Sequence, residues 1–227
     1  MIKNYTNALT RAIEHRQKLK IPALNTAFLA ANFFLIVYVV IALYVSPKDN
    51  LERHFQNENG AITALSSIAL AMACGFAGTS YSLSKTSIKA KKLFWLILSI
   101  AFGFFSLDLL LEVHEEFGKL LSLIKIVPKS AFRNWNDIVI ILYGAMSILF
   151  FIYFLPVLLS YPKLIELIGL ALVFYIIHTA IDLFLAKTST SIIIEETFKL
   201  FSAAYLTGAM YFGLRGNIFI YSSSENE

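Results

Sequence analysis

The chain has 227 residues, of which 58% are hydrophobic and only 15% are charged, and its mean hydropathy is +0.69. Soluble domains are about 45–50% apolar and about 25% charged, so this composition excludes an ordinary soluble domain. The single cysteine, Cys74, excludes an intrachain disulfide and a cysteine-based metal motif. The formal charge of +4 is a poor guide to partners, because membrane topology sets how the charges are distributed, and we expect no nucleic-acid partner.

The chain begins with a basic segment, residues 1–20, in which Tyr5, Leu9 and Ile13 recur at helical spacing. This pattern predicts a short amphipathic helix on the membrane surface. Six apolar blocks follow, each about as long as a bilayer is thick. They predict transmembrane helices at about 21–45, 61–83, 93–113, 138–160, 164–186 and 192–214. An apolar piece at 118–127 is too short to span and predicts an interfacial segment, and a polar tail occupies 215–227. The fold class is therefore an all-α transmembrane bundle of six spans.

Basic residues indicate the orientation, because they are enriched in cytoplasmic loops. With both termini on one side, that side holds eleven: Lys3, Arg11, Arg16, Lys18, Lys20, Lys85, Lys89, Lys91, Lys92, Lys163 and Arg215. The other side holds seven: Lys48, Arg53, Lys119, Lys125, Lys129, Arg133 and Lys187. Both termini are therefore predicted to be cytoplasmic.

The third span ends in an unusually acidic stretch. Asp108 follows fifteen uncharged residues, and Glu112 and Glu115 come four and seven residues later, so a continuous helix would place all three on one face. His114 and Glu116 flank that face. Acidic groups at the end of a membrane-length helix are costly unless they meet water, a counter-charge or a metal.

The predicted topology brings further ionisable residues to the same depth. His178 and Asp182 lie near the outer end of the fifth span, and Glu195 and Glu196 open the sixth. Because three helices contribute residues at one depth, we expect a functional cluster in the outer half of the membrane. Lys199 lies four residues after Glu195, and the simplest expectation is an internal Glu195–Lys199 ion pair. The same spacing is also seen in retinal-binding helices. Retinal binding is disfavoured here because the chain is predicted to have six spans instead of seven.

His178 and Asp182 have the i, i+4 spacing by which one helix presents two ligands to a metal. Asp108, Glu112 or Glu195 would complete a site of nitrogen and oxygen ligands. Such a set suits zinc, or manganese or iron if carboxylates dominate. The alternative is that Asp182 only hydrogen-bonds to His178 and fixes its tautomer.

The second span contains two features that favour helix contacts. The hydroxyls of Ser66 and Ser67 could supply a nucleophile or a hydrogen bond to a substrate oxygen. The commoner arrangement is that such hydroxyls bond to the backbone of their own helix. Small residues at helical spacing predict a close approach by a neighbouring helix: Ala71, Cys74, Gly75 and Gly78.

The stretch Phe105-Ser-Leu-Asp-Leu-Leu-Leu-Glu-Val-His-Glu resembles a pattern in uncharacterised bacterial multi-pass membrane proteins. In that pattern an Asp is followed six and seven residues later by His-Glu, as Asp108, His114 and Glu115 are here. Trp135 before the next span, and the Glu195-Glu196 pair opening the last one, also match. Many such proteins carry a second acid directly after the Asp, where this chain has leucine. The resemblance covers about residues 60–214 and implies a bacterial inner-membrane protein.

A more distant analogy is to the ceramidase and progestin-receptor-like membrane hydrolases, which hold zinc within a helical bundle. This chain lacks their paired histidines on the last helix. The similarity is one of chemistry and does not imply common ancestry.

Three functions are consistent with these patterns. The first is a metal-dependent hydrolase of a lipid or lipid-linked substrate, in which His178, Asp182, Asp108 and Glu195 hold the metal and Glu112 or Glu115 is the general base. The second is a cation or proton channel or transporter, in which homo-oligomerisation through the small residues of the second span would build a pore. The third is a scaffold or sensor subunit that docks a cytoplasmic protein on its basic face.

Overall fold

A computed structural model describes residues 25–223 apart from 56–59, 85–88 and 125–134, together with residues 7 and 10. Within this part of the chain there are eight α-helices and no strands. They are α1 (Asn25–Val45), α2 (Ala61–Leu83), α3 (Lys89–Leu111), α4 (Val113–Ile124), α5 (Trp135–Tyr153), α6 (Leu155–Leu159), α7 (Pro162–Phe184) and α8 (Ser189–Ser223). The predicted all-α class is confirmed.

The core is a row of four helices in the order α3, α2, α8 and α7. Helices α2 and α8 run in the same direction, since Thr207 donates a hydrogen bond to the Ala69 carbonyl at 2.6 Å and Phe76 contacts Tyr211 further along both helices. Helices α3 and α7 run in the opposite direction, because short connections join each to its neighbour. We call the end where α3 and α7 finish the acidic end, and the opposite end the basic end.

Small residues allow α2 and α3 to approach closely, as the sequence predicts. A Cβ added at Gly78 would lie 3.1 Å from the Ser99 hydroxyl, and one at Gly103 would lie 3.4 Å from the Cys74 sulfur. By contrast, a Cβ at Gly75 would meet nothing within 4 Å. The close contact is therefore made by one part of the small-residue face, and the rest of it is open.

The two serines of α2 behave differently. Ser66 bonds to the Ile62 carbonyl of its own helix at 2.9 Å, as expected. For Ser67 that expectation is wrong, because its hydroxyl bonds to the Ser106 carbonyl on α3 at 2.9 Å. Ser106 returns a bond to the Ser67 carbonyl at 3.0 Å, so both buried hydroxyls serve to join two helices.

Proline explains the interruption between α5 and α6. Pro156 has no backbone N–H and its ring clashes with the carbonyl four residues earlier, so the helix breaks at Phe154. Helix α6 ends at Leu159, Tyr161 is extended, and Pro162 begins α7, which is a favourable first helical position for proline. The predicted span 138–160 is therefore two helical pieces in the structure.

Four helices are long and apolar enough to cross a membrane: Phe28–Val45, Ala61–Leu83, Lys89–Leu111 and Lys163–Phe184. A shorter apolar helix covers Ile138–Tyr153. Large apolar side chains are exposed along these helices, including Phe33 at 70% and Tyr44 at 90%. Such extensive apolar exposure would be unfavourable in water and is expected of side chains that face lipid. The chain is therefore a multi-helix membrane protein.

Several predicted boundaries differ from the structure. The third span was expected to continue to residue 113, but α3 ends at Leu111 and a separate helix, α4, starts two residues later. The polar tail expected from residue 215 is helical through Ser223, because α8 continues without a break for 35 residues. The predicted amphipathic helix at 1–20 falls outside the described residues, apart from residues 7 and 10.

Candidate functional site

The predicted common face of Asp108, Glu112 and Glu115 does not form, because the helix breaks at Glu112. This residue has φ of 53°, in the left-handed region that costs energy for a residue with a side chain. Its carbonyl then accepts bonds from the backbone N–H groups of Glu115 and Glu116 at 2.9 and 3.1 Å, which starts α4 in a new direction. Of the two proposed general bases, Glu112 therefore lies at the helix junction and Glu115 lies in the first turn of α4.

Asp108 holds this junction together. Its Oδ1 accepts the backbone N–H of His114 at 2.7 Å, and its Oδ2 lies 3.1 Å from the His114 Nδ1. The carboxylate thus caps the first turn of α4 from the preceding helix, where a negative charge also complements the helix dipole. Asp108 is only 6% exposed, so these bonds satisfy a buried charge. The Asp-x5-His spacing of the sequence motif has a structural explanation.

A second ionic cluster joins α7 to α8 at the acidic end. Lys187, in the connection between the two helices, places its Nζ 2.6 Å from Asp182 Oδ1 and 2.6 Å from Glu195 Oε2. Lys187 thereby bridges two carboxylates that were predicted as metal ligands. Burial lowers the pKa of Lys187, but its bonds to the two carboxylates outweigh that effect, and its pKa is raised. Its charged form is accordingly favoured.

His178 bonds to the backbone of α8. Its Nδ1 lies 3.2 Å from the Glu195 carbonyl oxygen, and because a carbonyl only accepts, Nδ1 must carry the proton. In the neutral ring, Nε2 then keeps its lone pair. Asp182, Lys187 and Lys199 all lie within electrostatic range of this imidazole. His178 is thus buried at the centre of the α7–α8 cluster.

The predicted Glu195–Lys199 ion pair is wrong. Lys199 instead pairs with Glu196, with its Nζ 2.5 Å from both carboxylate oxygens. The helix connection decides this choice, because Lys187 reaches Glu195 from outside the helix and leaves Lys199 to the adjacent acid. Both glutamates are buried, at 7% and 8% exposure, and each has one ammonium partner. We refer to His178, Asp182, Lys187, Glu195, Glu196 and Lys199 as the ionic cluster.

Two tyrosines lie near the Asp108 junction, and one of them also lies near the ionic cluster. Tyr143 on α5 and Tyr175 on α7 are both within electrostatic range of Asp108. The Tyr175 ring centroid is 6.0 Å from that of His178. Asp108 therefore approaches the same part of α7 as the cluster does. Glu116, by contrast, points outward and pairs with the exposed Lys119 at 2.5 Å, which raises the Lys119 pKa through their hydrogen bond.

The described residues contain no group of three or more His, Cys, Asp or Glu side chains arranged to hold a metal ion. Asp182 and Glu195 each face an ammonium group, with which a cation would have to compete. The zinc prediction is untested and stays a prediction. The residue that sequence reasoning missed is Lys187, and its signal was its place as a lone basic residue in a short connection between two acid-bearing helices.

The fold and this site define an all-helical membrane protein whose buried ionisable groups join its last two long helices. The chain belongs to a family described as a domain of unknown function (DUF8692), whose family model matches residues 21–212. This membership agrees with the predicted resemblance to an uncharacterised family, while the shared motif and the ceramidase analogy stay predictions. No curated protein and no solved structure matches the chain.

Proposed function

We propose that this protein is a membrane transport protein that binds a proton or a small cation at its acidic end. One observation carries the proposal: three carboxylates and two ammonium groups are gathered where α7 turns into α8, next to a buried histidine that bonds to the α8 backbone. Ionisable groups inside a membrane bundle are expensive and are typical of ion pathways and proton relays. A cluster that served only to link two helices would need no more than one ion pair.

The charge balance favours a cation as the ligand. With histidine neutral, the ionic cluster carries one more negative than positive charge, and Asp108 adds another negative charge nearby. A proton or small cation that enters the cluster would neutralise this excess. Closely spaced ionisable groups also titrate as a unit, so one proton changes the charge balance of several side chains. This coupling is what a proton-driven transporter requires.

The topology proposed with this function has six spans and cytoplasmic termini in a bacterial inner membrane. The four long apolar helices supply four of these spans, α5 together with α6 supplies the fifth, and α8 supplies the sixth. Helix α5 covers Trp135–Tyr153, which at about 1.5 Å per residue is about 28 Å, and α6 adds a short second piece beyond the break at Phe154. Helix α8 is longer still, and its uncharged first turn would lie at the outer surface. The basic end would then face the cytoplasm, in agreement with the excess of lysine and arginine there.

A metal-dependent lipid hydrolase is the second candidate, and the geometry of His178 favours it. Metal-binding histidines commonly donate one ring N–H to a carbonyl and use the other nitrogen as the ligand. His178 has the first of these features. Asp182 would be the second ligand, provided that Lys187 moves away, and Glu112 or Glu115 would take the proton of a bound water.

Flux measurements on purified protein in liposomes test the first candidate. Vesicles that contain a pH-sensitive dye receive a potassium gradient and valinomycin for the proton assay, and sodium and potassium fluxes are measured in separate vesicles without valinomycin. We expect wild-type flux above that of protein-free vesicles, and loss of this flux in Glu195→Gln. The matched control is Glu166→Gln, which also removes a carboxylate paired with a lysine, but at the basic end and about half exposed.

The outcomes separate the candidates. Wild-type flux no greater than that of empty vesicles, for protons and for both cations, would exclude transport of these ions. Metal analysis of protein purified without chelator then tests the hydrolase, because His178→Ala and Asp182→Ala should each lose bound metal. Protein that has neither flux nor metal would leave the cluster as a link between helices in a scaffold or sensor subunit.

A further inference from the structure

The basic end contains buried polar groups that the protein does not satisfy. The Ser80 hydroxyl, Nη1 of Arg215 and Nδ2 of Asn217 have no hydrogen-bond partner among the described residues. Ser80 is fully buried and Asn217 is 3% exposed. Nε1 of Trp95 lies close to the Tyr161 hydroxyl, but reaches no partner at good hydrogen-bond geometry in the described part of the chain. Buried donors are normally paired, so several unpaired ones at one end of a bundle require an explanation.

Tyr161 directly connects two of these groups, Asn217 and Trp95. The Tyr161 hydroxyl donates to Asn217 Oδ1 at 2.5 Å, which leaves the amide Nδ2 of Asn217 directed elsewhere. The Tyr161 ring packs edge-on against Trp95 at 5.5 Å between centroids, and Lys91 Nζ lies 5.2 Å from the same Tyr161 ring. A Cβ on Gly213 would come within 2.3 Å of the Trp95 ring, so this glycine is needed for α8 to meet the indole.

Ser80 reaches the same level from α2. The parallel helices α2 and α8 are fixed in register by the bond from Thr207 to Ala69. Ser80 lies eleven residues after Ala69, and Ile218 lies eleven residues after Thr207. Since both helices rise equally per residue, Ser80 is level with the Asn217 turn of α8.

The charge at this end is positive. Lys91 and Arg215 contribute half-buried cations, and Lys92 lies over the Tyr81 ring at 4.9 Å. Glu166 is the only carboxylate that the described residues place at this end, and it is paired with Lys163 at 2.6 Å. The unpaired groups are therefore mainly donors, in a region with an excess of positive charge. This combination fits a ligand that is anionic and rich in acceptor atoms.

We propose that the basic end holds a binding site for a phosphate-class oxyanion, with Asn217 and Trp95, which Tyr161 connects, as its principal donors and Ser80 and Arg215 as further donors. Guanidinium and amide N–H groups both suit phosphate oxygens, and Lys91 adds charge beside them. The same chemistry is offered by the headgroup of an anionic phospholipid and by a free phosphate from solution. This site is separate from the ionic cluster, and it does not depend on the proposed transport function.

Ligand-dependent thermal unfolding of the full chain in dodecyl maltoside tests the proposal. One arm adds dihexanoyl phosphatidylglycerol and the other adds sodium phosphate, each compared with sodium chloride at equal ionic strength. Stabilisation by phosphatidylglycerol alone would identify a lipid headgroup site, and stabilisation by sodium phosphate would identify a site open to free oxyanions. The absence of stabilisation by either probe would overturn the proposal, whatever the variants do.

Variants locate the site. Arg215→Gln removes the charge, and Asn217→Asp keeps the acceptor for Tyr161 while replacing the free donor by an oxygen. Each should weaken the dissociation constant by about tenfold or more, as expected for a lost charge-assisted bond. Lys163→Gln removes a cation from the same end and should bind as the wild type does. If Arg215→Gln does not give monodisperse protein, Ser80→Ala replaces it. Unchanged binding in Asn217→Asp together with Arg215→Gln or Ser80→Ala would refute the assignment.

Discussion

Lys187 is the residue whose replacement tests the ionic cluster most directly. Its Nζ lies 2.6 Å from both Asp182 and Glu195, and Lys187→Met keeps the aliphatic chain while removing the charge. The buried Glu195 carboxylate would lose its ammonium partner, and breaking a fully buried pair costs about 3–5 kcal/mol. The Lys187 side chain is 35% exposed, so water compensates for part of this loss. We therefore expect the unfolding free energy to fall by about 2 kcal/mol.

A double-mutant cycle measures this interaction. Lys187→Met, Glu195→Gln and the double variant are unfolded by sodium dodecyl sulfate titration in dodecyl maltoside. The double variant should recover part of the lost stability, with a coupling energy of about 1 kcal/mol or more, because it leaves no unpaired charge on Glu195. The control is Lys163→Met, whose exposed pair with Glu166 should contribute about 0–0.5 kcal/mol. Equal losses in Lys187→Met and Lys163→Met, or a coupling energy of zero, would refute the reasoning.

Three further predictions concern topology, the helix junction and pH. In a cysteine-free background, Ser189→Cys should react with a membrane-impermeant thiol reagent on intact cells and Ala90→Cys should not; the reverse pattern would invert the proposed orientation. Asp108→Ala should lower the unfolding free energy by about 1–2 kcal/mol, because it removes both bonds to His114, and a variant as stable as the wild type would contradict this capping role. Because the pKa of Lys187 is raised, its stabilisation is complete below the unfolded pKa of about 10.4 and is lost as the pH rises through the folded pKa. The stability advantage of the wild type over Lys187→Met should therefore shrink above about pH 10.4, and a constant difference would count against it.

The positions of the long helices were predictable because apolar length is a local property of the sequence. The second span was predicted at 61–83, and α2 covers these residues. The Pro156 interruption and the helix break at Glu112 were not predicted. A proline in an apolar block is a local signal that could have been used. The positive φ of Glu112 could not have been foreseen, because it depends on the bonds from the Asp108 side chain to α4.

The sequence by itself determined that this is a helical membrane protein with acids concentrated towards one end, because hydropathy and charge depend only on composition along the chain. Only the tertiary structure decided which charges meet. Glu195 pairs with Lys187 instead of Lys199, and His178 bonds to the backbone of α8. These partners are fixed by how α7 turns into α8, and helical periodicity carries no information about contacts across that turn. The unsatisfied donors at the basic end likewise became visible only when four helices were placed side by side.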